Sequence, residues 1–409
     1  MLLQPLKGLK VVDWTEGVAG PYACQLLGDL GAEVIKVERP EGDWGRTLGD
    51  DKKAHFRALN RNKRGICIDV KSSKSKKVMD RLLRDADILV TSYRPGVMER
   101  FGYSFEDVRE INERLIYGRI SAFGYTGELT HLPGSDTILQ ALSGFMTQVG
   151  EPESTPYRVG IPIVDLVAAR DLVVGILSAV ICGERGQPVQ GPIDINLFAS
   201  FAALQAQTWQ QVLETGKNPI RSGNRNPMLS PAGIFEGADN KYFSLVVLRD
   251  EHWQRLCKAL GDEKLSENKN YSTNSLRLAY RDELEEKLNS LFSLNSRDYW
   301  LEKLSKYDVL VAPILEFNEI LEDPQLGKAI PRVEVPSSGL SDAYHAIAPA
   351  VGIGDTNSLR VKYGTPEKGE HTQEILSELE FTSEEINSLF EDKVISSSSA
   401  IEETLEING

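Results

Sequence analysis

With 409 residues, and 46 lysines and arginines against 60 acidic side chains for a formal net charge of −14, the chain is too long for a single core and too acidic for a nucleic-acid or anionic-membrane partner. Any anionic ligand must therefore meet local positive charge. Cys24, Cys67, Cys182 and Cys257 are scattered without a CxxC pair, the pattern of reduced thiols in a cytoplasmic protein; Met1 leads into no secretory pattern, and no run of 18 uncharged apolar residues is found, so neither export nor a membrane span is expected.

Leu9 to Trp14 is a short apolar run that meets a glycine-rich corner, Gly17 to Gly20, then a helical stretch with Pro21 in its first turn and Gly31 at its end, then a second apolar run, Glu33 to Glu38. Strand, helix and strand in that order put backbone N–H groups at a helix N-terminus, a place for phosphate. Glu38, some way on, invites a dinucleotide reading in which an acid holds a ribose; GVAGP lacks the GxGxxG spacing, so only a nucleotide-like ligand at the corner is retained. Further strands are read at Gly65–Val70, Asp87–Ser92 and Leu115–Ser121, with helices at Ser73–Arg84 and Ser104–Asn112 between them. The alternation predicts an α/β fold with a doubly wound parallel sheet, whose ligands bind beyond the carboxyl ends of the strands. Arg39, Lys71 and the loop Ser92 to Arg100 fall at those ends.

Pro156 to Gly183 holds the most telling segment, with an almost wholly apolar stretch from Leu166 to Cys182 that predicts a helix buried on most sides. Asp165 stands at its mouth, three residues after Pro162, as either a cap or a catalyst. Asp194 to Glu214 has helical spacing, and the turn-rich run from Thr215 to Gly233 marks a boundary near residue 225. Beyond it Gly233–Phe235 and Tyr242–Leu248 predict a hairpin, followed by helices from Glu251 to about Leu304. Thr382 to Glu385 carries a capping sequence, and the serine- and glutamate-rich tail from Ser396 reads as disordered. The expected organisation is a large domain at 1–200, a linker at 201–225, a small domain at 226–330 and a C-terminal segment at 331–409.

The five histidines form no metal-binding grouping, so no metal is expected, and Gly134-Ser135 and Ser143-Gly144 lack the surroundings of a serine nucleophile. What remains is carboxylate chemistry, with Asp165 and Asp136 as candidates.

The ordered stretches GLKVVDWTEGVAGPYACQLLGDLGAEVIKVERPEGD, NKRGICIDVKS, RPGVMERFG, ISAFGYTG, PGSDTILQALSGFM, VGIPIVDL and GEHTQEIL resemble the class III CoA-transferases, the family of formyl-CoA:oxalate CoA-transferase, carnitine CoA-transferase and the bile-acid-inducible transferases. The resemblance implies a Rossmann-like large domain, a smaller α+β domain, a C-terminal segment at 331–409 that returns to the large domain, and an interlocked, ring-like homodimer. It also implies coenzyme A as substrate and product, with an acyl-CoA and a small carboxylic acid as partners. Asp165 matches the catalytic aspartate of G-x-P-x-x-D. Val18, Ala19, Arg39, Ile68, Lys71, Ser92, Tyr93, Arg100 and Asp136 match positions around the CoA site. Ser92 stands where many members have asparagine and Ser135 where many have tyrosine, and no four-glycine run is present in the small domain. Two other readings stay open. One is a 2-methylacyl-CoA racemase of the same fold, although Gly134-Ser135-Asp136 lacks the histidine of the racemase triplet. The other is a CoA-binding protein without turnover.

Overall fold

The computed structural model describes residues 4–49, 52–338, 342–348 and 361–398. They divide into two compact units, one made of Met1–Gly144, Val159–Gly216 and Ile330–Gly409, the other of Phe145–Arg158 and Lys217–Ala329.

The first unit is built on a seven-stranded sheet. Strands β1 (Lys10–Trp14), β2 (Glu33–Glu38), β3 (Lys63–Ile68), β4 (Ile88–Thr91), β5 (Ile116–Ser121) and β6 (Ile193–Asn196) are parallel, in the order β3-β2-β1-β4-β5-β6. A seventh strand, Ile395–Ser396, joins antiparallel on the outer edge of β3. Because helices cover both faces, the strands read as nearly continuous buried runs. One face carries Val12, Trp14, Val37, Ile66, Ile68 and Leu89 into a core shared with the helices at Lys76–Asp85, Phe105–Ile111, Thr372–Glu378 and Ser383–Glu391. The last of these helices starts with the predicted capping box, Thr382 against Glu385.

The other face takes α1 (Ala19–Asp29) and, over β5 and β6, α2 (Ile163–Glu184), which also packs on α1. Two glycines permit this close approach: a Cβ on Gly118 of β5 would lie 3.0 Å from Leu172 Cδ1, and one on Gly175 would lie 2.7 Å from Ile193 Cγ2. Val164, Leu172, Val173 and Ile176 are buried there, worth about 2 kcal/mol each. Within the single chain this helix, expected to be covered on most sides, is covered on one face: Val174 and Ile181 on the opposite stripe are 63% and 52% exposed.

Asp194–Asn196, expected in a helix, is instead strand. Ile193 to Asn196 completes the edge beside β5, with Arg119 paired in register to Asp194 and forming an ion pair with it; the helices follow at Leu197–Leu204 and Ala206–Thr215. The tail expectation is corrected at its start: Ile395–Ser396 is a strand, Ser397 and Ser398 are buried, and residues 399–409 lie outside the described residues.

In the second unit, β7 (Ala232–Glu236) and β8 (Tyr242–Val246) form the predicted hairpin, and β9 (Leu310–Pro313) extends it. Helices Asp250–Leu260, Arg281–Phe292 and Arg297–Ser305 supply its core with Trp253, Leu284, Phe292 and Trp300.

Candidate functional site

The strand order of the first unit reverses between β1 and β4, and a crevice opens outside the carboxyl ends at such a point. The chain leaves β1 through Thr15 to Gly20. Gly17 has φ +83°, and a Cβ there would lie 2.1 Å from Cζ2 of Trp44, whose indole covers this glycine while remaining 44% exposed. The corner is held from beneath. Asp43 accepts the N–H groups of Gly17 (3.0 Å) and Gly45 (2.8 Å), and Lys36 Nζ pairs with Asp43 at 2.9 Å while donating to the Thr15 carbonyl at 3.0 Å. Deeper still, Lys63 Nζ donates to Asp13 Oδ2 (2.8 Å), the Pro21 carbonyl (2.8 Å), the Leu59 carbonyl (3.2 Å) and Asn60 Oδ1 (2.7 Å). Burial works against Asp13, Lys36 and Lys63, yet Lys36 and Lys63 hold the Asp13 carboxyl below its ordinary range and Asp13 and Asp43 raise the ammonium of Lys36, whereas at Lys63 burial prevails and the ammonium is lowered.

Glu38 is committed to the same scaffold. Its Oε2 accepts the Asp43 N–H (3.0 Å) and Arg46 Nε (2.8 Å), its Oε1 accepts Arg46 Nη2 (2.7 Å), and its side chain is 1% exposed, so it is turned into the scaffold and is not offered to a ribose, and the dinucleotide reading falls. Val18 precedes the first turn of α1 and Ala19 opens it; both are buried, so this corner presents its main chain.

Arg39, Ser92 and Tyr93 are brought together around Glu16, a residue sequence reasoning passed over. Ser92 Oγ accepts the Glu16 N–H at 3.1 Å; Tyr93 Oη donates to Glu16 Oε1 at 3.4 Å, and Arg39 Nε lies 3.4 Å from the same oxygen. The Tyr93 ring meets Trp14 edge-on, centroids 6.2 Å apart. Three candidates lie apart from this group. The side chain of Ile68, expected around the CoA site, is the last of β3 and fully buried in the core. Lys71 and Arg100 are exposed, Lys71 in the turn closed by Asp69 and Arg100 in the short helix Val97–Phe101.

The second group forms at the carboxyl end of β5. A Cβ on Gly134 would lie 2.4 Å from the Cβ of Ala122, so the loop before the helix Asp136–Leu142 rests on that strand end. Asp136, the first residue of this helix, accepts Gln140 Nε2 at 2.6 Å and the Val164 N–H at 2.8 Å, and Gln140 Oε1 accepts the Val159 N–H at 3.0 Å. The cap of α2 is therefore Asp136, supplied from a separate helix. Asp165, in the first turn of α2, is released from capping; among the described residues no donor or cation holds its carboxylate. Burial, reinforced by the charge of Asp136, pushes its pKa up to about 7. A half-buried carboxylate without a partner is costly and is poised for nucleophilic or acid–base work.

Among known sequences, the model of CoA-transferase family III matches residues 6–372. The chain is 36% identical to the acetyl-CoA:oxalate CoA-transferase of Acetobacter aceti over 78% of this chain and 83% of that one. It is 32% identical to the succinate–glutarate CoA-transferase of Agrobacterium fabrum, over 92% and 96%. A CAIB/BAIF family protein from Brucella suis superposes with a TM-score of 0.81 at 32% identity, covering 92% of this chain and 99% of its own.

Proposed function

The chain belongs to CoA-transferase family III, and from that premise we propose that Asp165 is the nucleophile through which CoA passes from a donor acyl-CoA to a free carboxylic acid. The observation that carries this reading is the unpartnered Asp165 carboxylate at the start of α2, with its cap provided by Asp136. An Asp165 oxygen attacks the thioester carbonyl; the C–S bond breaks and leaves an aspartyl-acyl anhydride and CoA thiolate. The thiolate attacks the aspartyl carbonyl, releasing the donor acid and forming an aspartyl-CoA thioester. An acceptor carboxylate then attacks that thioester to give a second anhydride, and the expelled thiolate takes the new acyl group, restoring Asp165. No water is consumed, and water must be kept out because either anhydride hydrolyses.

The corner at Gly17 to Gly20, with Arg39, Ser92 and Tyr93 beside it, is assigned to the phosphate-bearing part of CoA within a Rossmann-like sheet. Lys71 and Arg100, exposed at neighbouring strand ends, are assigned to the outer reach of the same ligand. The acceptor is a small dicarboxylate, the class named for the two transferase relatives. The exposed apolar residues Val174, Ile181, Leu204 and Leu213 support burial against a second copy in a homodimer, measurable by light scattering. The four free thiols support a cytoplasmic address.

The test of the mechanism is exchange of labelled free CoA into an acyl-CoA. Asp165→Ala should lower it at least about a thousandfold while CoA affinity stays within about threefold. Substantial exchange by this variant removes Asp165 as the nucleophile.

A further inference from the structure

Glu16 leaves β1 at the corner, and its main chain is tied to Ser92, so its side chain reaches across the carboxyl ends of β2 and β4. There its carboxylate meets the guanidinium of Arg39 at 3.4 Å. Arg39 also donates from Nε to the Gly42 carbonyl at 3.2 Å and lies 3.9 Å from Glu41. The cation that closes β2 is thus already neutralised, at the point of the sheet where an anionic ligand is received.

The pairing is loose. A tight charge-assisted bond is shorter than about 3 Å, whereas this contact is 3.4 Å and engages Nε. The carboxylate is the less comfortable partner: the Glu16 side chain is 16% exposed against 46% for Arg39. Burial raises the carboxyl above its ordinary range, with Arg39 opposing, Asp43 adding to the rise, and Lys36 and Tyr93 opposing. Turning Glu16 outward returns that burial cost and frees a cation that is already accessible.

We infer that Glu16 is an internal substitute for a phosphate of CoA, which Arg39 exchanges for the incoming ligand, so that Glu16 sets the affinity of the site for the phosphate-bearing half of acyl-CoA. This rests on the CoA-transfer reading and assigns Glu16 as a binding-site residue within it. The exchange keeps Arg39 oriented between turnovers and weakens the hold on CoA by the strength of the pair it must break.

The experiment is calorimetric titration of CoA, of its adenosine bisphosphate half and of its pantetheine half into the full-length protein and into Glu16→Gln, Arg39→Gln and the double variant. Gln is isosteric and keeps an acceptor for the Tyr93 hydroxyl. Glu16→Gln should tighten CoA and the bisphosphate by about threefold to tenfold and leave pantetheine unchanged. In the Arg39→Gln background the same change should have no effect. A gain that persists without Arg39 means simple repulsion between Glu16 and phosphate, and overturns the exchange, as does the absence of any gain. If the unaltered protein binds neither CoA nor the bisphosphate, the CoA reading itself falls, and the exchange with it.

Discussion

Asp165→Asn should make the protein more stable, and only above a definite pH. The carboxyl rises from 3.8 to about 7 on folding, because of burial first and the Asp136 charge second. Below pH 3.8 it is protonated in folded and unfolded chains alike, and an amide in its place changes little. As the pH climbs, the unfolded chain ionises first and the native state loses stability relative to it, until the folded carboxyl itself ionises near 7. A rise of that size corresponds to about 4 kcal/mol at full burial, at about 1.36 kcal/mol per pH unit. Asp165 is only half-buried, and screening by water reduces this to about 2 kcal/mol. In a chain of this length that is a rise in Tm of roughly 2 °C. Thermal melts of both proteins from pH 4 to pH 8 should show curves that nearly coincide at the acid end, diverge in favour of the amide as the pH rises from about 4, and reach their full separation near 7. A gap independent of pH, or a less stable amide variant at pH 8, would refute the claim that Asp165 is held without a partner.

Three further outcomes follow from the same geometry. The kcat/KM of CoA exchange should rise with pH through a midpoint near 7; Asp136→Asn, which keeps an acceptor for the Val164 N–H but loses the charge, should lower that midpoint, and an unmoved or higher midpoint contradicts the coupling. Lys63→Met strands Asp13 inside the sheet and should cost about 3–5 kcal/mol in a denaturant titration, with Asp13→Asn in the same chain recovering part of it; no recovery would mean that the lysine acts through packing alone. Gly17→Ala must place a side chain at φ +83° against the Trp44 ring, at a cost of about 1–3 kcal/mol, and should weaken CoA binding about tenfold; unchanged binding would detach the corner from the ligand.

Local pattern was enough to read the strands of the first 121 residues and most of the helices between them, the β7–β8 hairpin and the Thr382 capping box, because each depends on neighbours a few residues away; the helix Lys52–Asn60 between β2 and β3 went unread. It also placed Asp165 at the head of the apolar run as either a cap or a catalyst, and the family resemblance favoured the catalyst. Asp194–Asn196 escaped it: these residues fit either period, and what makes them strand is the open edge of β5 and the arginine across from Asp194. The fate of Glu38 was equally hidden, for its partner Arg46 is drawn in by the same turn that carries Asp43 under Gly17. Lys36 and Lys63 offered a faint clue, basic residues inside strands, but no pattern says that Asp13 and Asp43 wait for them. Sequence by itself determined which segments fold into strand or helix and which carboxylate heads the apolar helix. Tertiary structure alone decided which of the charges meet and which face of α2 is covered, because contacts between residues far apart in the chain depend on how the sheet is ordered, and periodicity carries no record of that order.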